Sequence, residues 1–187
     1  MRAALLLLAL VAVLTAGCGG SSASFDGTKL STPAPNFTLH DQSGTPVSLA
    51  AQRGRYVIVT FLYTHCPDVC PVIAGNLNRV LQMPVAQRAG LRVLAVSVDP
   101  RRDTHAAVAH FIHVHRLVPS FLYLTGTRAQ LQPVWTSFHI ASTPGPNGTV
   151  SHSAFEILVD PKGRERLLYD SSVTTAEVVH DLGELVK

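Results

Sequence analysis

The stretch Tyr63-Thr64-His65-Cys66-Pro67-Asp68-Val69-Cys70-Pro71 decides how this 187-residue chain folds. Before it, residues 56–62 form an apolar, β-branched run that reads as a buried strand. After it, Ile73, Leu77, Val80 and Leu81 recur at helical spacing. Two cysteines therefore stand where a strand hands over to a helix. A residue before proline is pushed out of the α region, so neither Cys66 nor Cys70 is expected to be helical. Pro71 suits the first helical position, where its missing N–H is no loss. On that reading Cys70 is the N-cap, and the positive end of the helix dipole favours its thiolate.

The spacing restricts the chemistry. A redox dithiol of the thioredoxin type has two residues between its cysteines; this pair has three. Both sulfurs can then turn onto one metal ion, which tolerates a wider separation than the roughly 2 Å of a disulfide. A disulfide stays open, because the loop can tighten.

Toward the N-terminus, Met1-Arg2 is a minimal basic start, and residues 3–14 are an apolar run too short to span a bilayer. It ends in Leu14-Thr15-Ala16-Gly17-Cys18, which looks like a bacterial lipoprotein signal with Cys18 as the lipidated residue. Residues 1–17 are thus expected to be a signal peptide, and 18–32, rich in Gly and Ser, a flexible tether. The folded domain is expected over 33–187. Lipidation of Cys18 leaves one functional pair from the 3 cysteines, placed outside the reducing cytosol at the outer face of a bacterial cytoplasmic membrane, where a dithiol can oxidise.

Composition narrows the classes further. Apolar residues make up 47%, ample for a core. A net charge of +3, with Arg scattered along the chain, is too weak to imply a nucleic-acid partner, and none is expected.

Beyond the cysteines the chain alternates. Residues 36–40 and 46–49 flank the turn Asp41-Gln42-Ser43-Gly44 and read as a small N-terminal hairpin. The helix from Pro71 is expected to run to about Met83, and residues 92–98 are a second buried strand. A helix follows from about Asp103 or Thr104 to His115, then a strand over 121–124. Thr127 caps the next helix, which Pro133 should kink or delay. Residues 141–151 read as a Pro/Gly loop and 154–159 as a strand. Asp160-Pro161-Lys162-Gly163 is a type I turn, from which residues 166–169 pair back. Thr174 with Glu177 forms a capping box that starts the last helix. The expected fold is α/β and thioredoxin-like: a mixed central sheet flanked by helices, with an extra N-terminal hairpin.

Thioredoxin-like oxidoreductases place a cis proline just before the strand that hairpins back, facing the cysteines. Here that segment is Val150-Ser151-His152-Ser153. An imidazole facing two thiolates makes a mixed donor set: soft thiolates select Cu(I), imidazole suits Cu(II), and the set can hold either. His105, His110, His113 and His115 crowd one helix, where a polar face is the expectation.

These motifs resemble the SCO/SenC family of copper-binding assembly factors for cytochrome c oxidase. The shared residues run from Thr64 to Pro71, through Ser97-Val98-Asp99-Pro100 to Arg102-Asp103-Thr104, then Leu124 to Thr127, Ser142 to Pro146, and His152. The resemblance implies copper ligation by Cys66, Cys70 and His152, one ion per chain. It implies delivery to the copper-site subunit of the oxidase, with other copper chaperones or thioredoxin-like reductants as further partners. Many members carry an acidic residue directly before the ligand histidine, where this chain has Ser151. The same cysteines serve an alternative, a thiol–disulfide reductase that keeps the subunit's cysteines reduced, so enzyme status stays open. A peroxidase fits less well, because Tyr63 stands where a threonine is needed.

Overall fold

The computed structural model describes residues 24–145 and 149–187. At its centre lies β4 (Val57–Leu62), buried at every position. A strand buried on both faces needs neighbours on both edges, and β4 has them. On one side it pairs in parallel with β5 (Arg92–Ser97), from Val57 opposite Arg92 to Leu62 opposite Ser97. Then β5 pairs in parallel with β6 (Phe121–Leu124). On the other side β9 (Phe155–Val159) runs antiparallel to β4, and β10 (Glu165–Asp170) antiparallel to β9. The short β1 (Thr28–Lys29) closes that edge, so the sheet order is β1-β10-β9-β4-β5-β6. This is the thioredoxin-like arrangement expected, and the N-terminal hairpin is present as β2 (Thr38–His40) with β3 (Pro46–Ser48).

Among the described residues five α-helices cover the sheet: α1 (Val69–Leu81), α2 (Pro84–Arg88), α3 (His105–Val114), α4 (Arg128–Ser137) and α5 (Thr175–Leu185). Thr104 caps α3 through the N–H of Ala107, and capping boxes start α4 (Thr127, Gln130) and α5 (Thr174, Glu177). Such caps are typically worth about 1 kcal/mol each. Pro133 does not delay α4: it and Ala129, whose carbonyl it deprives of a donor, both lie on the exposed face. Under β4, Phe61 packs against Phe138 and Phe155, and Phe138 against Phe37. The α1 helix is shorter than expected. It stops at Leu81, and Pro84 opens the separate helix α2.

The segment read as a tether is partly docked. The N–H groups of Asp26 and Gly27 donate to the carboxylate of buried Asp181 (2.9 Å each), which also accepts from the Tyr169 hydroxyl at 3.0 Å. Leu30 donates to the Arg166 carbonyl at 2.8 Å, and Glu165 to that of Thr32 at 2.9 Å. Gly27 is no linker glycine: a Cβ there would meet the Tyr169 ring at 2.7 Å. The ordered domain thus takes in residues 26–32, because a buried carboxylate supplies the acceptors that a solvated tether would find in water.

One buried acid stands out in the sheet. Glu156 accepts from the Thr60 hydroxyl at 3.2 Å, while its second oxygen is buried without a partner. Burial pushes its pKa up to about 8, so at neutral pH it is a carboxylic acid.

Candidate functional site

The cysteine loop spans the gap between Leu62 of β4 and Val69 of α1. Two expectations about it are corrected. The helix begins at Val69, after Asp68, so Cys70 lies inside the first turn rather than outside it. Proline is accepted there because the first four N–H groups of a helix have no internal partner. Pro71 therefore loses nothing at the third position, and the preference of a pre-proline residue for extended backbone is overridden. The polarity of the pair is also reversed. The N–H of Cys70 donates to the Cys66 sulfur at 3.4 Å. The helix N-terminus thus faces Cys66, the residue ahead of it, while Cys70 is carried inward and has no exposed surface.

The two thiols differ accordingly. Hydrogen bonding from the Cys70 thiol, then from the N–H groups of Asp68 and Cys70 and from Tyr63, lowers the Cys66 pKa to about 5 against the opposing effect of burial. The same bond to Cys66, together with burial, drives Cys70 upward. At neutral pH Cys66 is a thiolate and Cys70 a thiol. Both cysteines are free in this structure.

A residue that the sequence reading passed over holds the loop in place. Asp103 is buried and accepts four hydrogen bonds. They come from the N–H and hydroxyl of Thr64 (2.9 and 2.7 Å), the Ser97 hydroxyl (2.5 Å) and the Tyr123 hydroxyl (3.1 Å). It ties the residue next to His65 and Cys66 to β5 and β6, and its charge adds to the upward push on Cys70. Asp99 builds the turn: its carbonyl accepts from the N–H groups of Arg102 and Asp103, and its side chain pairs with Arg102 at 2.5 Å. The signal for Asp103 was its place four residues after Asp99, on the far side of the same turn.

His152 lies on a strand, not in a loop. The segment read as a Pro/Gly loop forms a second hairpin, β7 (Ser142–Pro144) with β8 (Val150–His152), pairing Ser142 with His152. Tyr63 links it to the cysteines. The His152 ring meets the Tyr63 ring edge-on at 6.0 Å between centroids, and the Val150 N–H donates to the Tyr63 hydroxyl at 3.4 Å. His152 Nδ1 lies 2.9 Å from the Ser153 carbonyl. A carbonyl only accepts, so Nδ1 carries the proton and Nε2 keeps its lone pair for a ligand. The structure brings Cys66 and Cys70 together but not all three residues. Among the described residues, the only three Cys, His or carboxylate donors within 4.8 Å of one another are Asp26, His180 and Asp181. His105, His110 and His113 are exposed along α3, as a polar face requires, and Cys18 lies outside the described residues.

The arrangement offers two soft sulfurs, one already anionic, with a nitrogen donor held across one tyrosine ring. Comparison with known proteins points the same way. The SCO1/SenC family model matches residues 26–187. A protein of Stutzerimonas stutzeri named for copper binding is 30% identical over 176 residues, covering 89% of this chain and 85% of that protein. The chain spans about 65% to 85% of the length of the first curated relatives it matches. The solution structure of apo Sco1 from Thermus thermophilus superposes with a TM-score of 0.74 at 33% identity, covering 89% of this chain and 99% of that one. The Bradyrhizobium japonicum ScoI structure, solved with copper bound, gives 0.70 at 30% identity, covering 82% and 99%. Fold, cysteine loop and family model agree over the same residues: this chain belongs to the SCO1/SenC family.

Proposed function

We propose that this protein is a copper chaperone, tethered to the outer face of the cytoplasmic membrane through a lipid on Cys18, which carries one copper ion to the copper-site subunit of cytochrome c oxidase. Cys66, Cys70 and His152 hold the ion. The observation that carries this reading is the cysteine pair: two sulfurs side by side at a helix N-terminus, facing a hairpin whose histidine keeps Nε2 free. Thiolates are the ligands that select Cu(I), and an added imidazole extends the set to Cu(II). A relative named for copper binding, and a neighbour solved with copper, support the choice of metal. Among the described residues no helix is long and apolar enough to cross a membrane.

A second reading is favoured by the unequal thiols. In a thiol–disulfide reductase the Cys66 thiolate would attack a disulfide sulfur and release one substrate thiolate. Cys70 would then attack the mixed disulfide, leaving a Cys66–Cys70 disulfide and a reduced substrate.

One experiment separates them. The reduced domain, loaded with copper, is mixed with the soluble copper-binding domain of the oxidase subunit, its own cysteines reduced beforehand. The chaperone reading expects the metal to move to the oxidase domain. It also expects Cys66→Ser and Cys70→Ser each to abolish loading, since either leaves a single thiolate. Failure to load or transfer copper, with retained power to reduce the oxidised oxidase domain, would place the protein among the reductases.

A further inference from the structure

A cavity of about 390 Å³ opens beside Cys66, and His152 does not line it. Its lining comes instead from the start of the cysteine loop and from α3: Thr64, His65, Cys66, Pro71, His110 and His115 among others. Cys66 is its only sulfur, and Cys70 is fully enclosed. The exposed valine Val114 also lines the wall. Three imidazoles and the single sulfur of the pair that solvent reaches therefore share one cavity. Two other histidines of the same helix, His105 and His113, do not line it.

We propose that His65, His110 and His115 form an entry site for copper, a weak and labile station from which the ion passes to Cys66. This rests on the copper reading of the dithiol. Imidazole is a good copper donor of intermediate softness, so it can accept the ion from a donor and yield it to thiolate. The step is ligand exchange alone: copper–nitrogen bonds break as copper–sulfur bonds form, and Cu(I) keeps its oxidation state. The site is not a finished cage. Among the described residues, no three donors of this group lie within 4.8 Å of one another. His110 is exposed, and His115, at the C-terminal end of α3, rests on Phe111 with ring centroids 4.4 Å apart. Such an arrangement offers one or two nitrogens at a time. It binds loosely and releases quickly, which an entry station requires and a storage site does not.

A pair of measurements tests it. First, Cu(I) held by a weak competing chelator is mixed rapidly with the reduced protein and loading of the dithiol is followed in time. The variant carrying His110→Gln and His115→Gln should load about tenfold more slowly, taking the lower range of ligand-sphere effects. Its final dithiol affinity should be unchanged, because affinity depends only on the end states. The variant carrying His105→Gln and His113→Gln should load at the normal rate. Equal rates in all proteins, or equal slowing in both variants, overturn the proposal. Second, Cu(II) is added to protein carrying Cys66→Ser, Cys70→Ser and His152→Ala, and its electron paramagnetic resonance is recorded. A nitrogen-ligated signal should remain and should disappear on adding His110→Gln and His115→Gln. A signal indifferent to those two changes contradicts the site. This second arm needs no functioning dithiol, so it separates failure of the entry site from failure of the copper reading itself.

Discussion

The cysteine loop and the β7–β8 hairpin face each other across Tyr63, and they are built differently. The cysteine loop joins the central strand of a six-stranded sheet to a 13-residue helix, with Cys66 in the loop and Cys70 on the first helical turn. Their loop is pinned by Asp103 through four hydrogen bonds. The hairpin is a two-stranded sheet of its own, three residues on each side. Its links to the rest include the Ser142 hydroxyl to the Val98 carbonyl at 3.3 Å and the Val150 N–H to the Tyr63 hydroxyl at 3.4 Å. An isolated two-stranded hairpin is marginal in water. Under the proposed copper reading, the cysteine half of the site is built into the main sheet and its first helix, while His152 rests on a small separate hairpin.

The comparison breaks most visibly at Asp103. Asp103→Ala would strand the buried hydroxyls of Ser97 and Tyr123 and free the Thr64 end of the loop. Unsatisfied buried groups cost about 1–3 kcal/mol each, so a loss of roughly 3 kcal/mol or more is expected in urea unfolding. Asp103→Asn, which keeps part of the bonding, should cost less. If Asp103→Ala unfolds like the parent, the cysteine half is not held as described.

A smaller effect sharpens the contrast. Glu156 belongs to the sheet beneath the cysteines, and its pKa of about 8 lies above the ordinary carboxyl value. The unfolded chain therefore loses this proton first. The contribution is fully present below the ordinary carboxyl pKa and is lost as pH rises through about 8. The size is on the order of a few kcal/mol at most. Stability should thus fall between pH 5 and 9, and Glu156→Gln should flatten that fall. Identical pH profiles for the two proteins would contradict a buried neutral acid.

How far the sequence was legible follows the same division. The strand, the cysteine pair and the helix behind it could be read because burial and period leave a local imprint on residues 56–81. The alternation of strands and helices, and the caps at Thr127 and Thr174, were legible for the same reason. What escaped depends on tertiary partners. Asp103 and Glu156 look like surface acids until the fold buries them. Asp181 turns Gly27 from a linker residue into a docking point. The β7–β8 pairing lies in a Pro/Gly-rich stretch whose strands are too short to show alternation. The polarity of the thiols was misread because the helix dipole acts on whichever sulfur the N–H groups face, and that direction is set by the loop's path.

The proposed copper site stands or falls on whether His152 joins Cys66 and Cys70 on one ion. Cu(I) and Cu(II) affinities of reduced protein and of His152→Ala, measured by competition with chelators, test this directly. The account predicts one copper per chain and a modest loss of Cu(I) affinity in the variant, because two thiolates suffice for that ion. It predicts that Cu(II) affinity falls by at least the roughly 10–100-fold typical of losing even an outer partner of a metal ligand. Unchanged affinity for both ions in His152→Ala would contradict it and leave the cysteine pair as a redox dithiol alone.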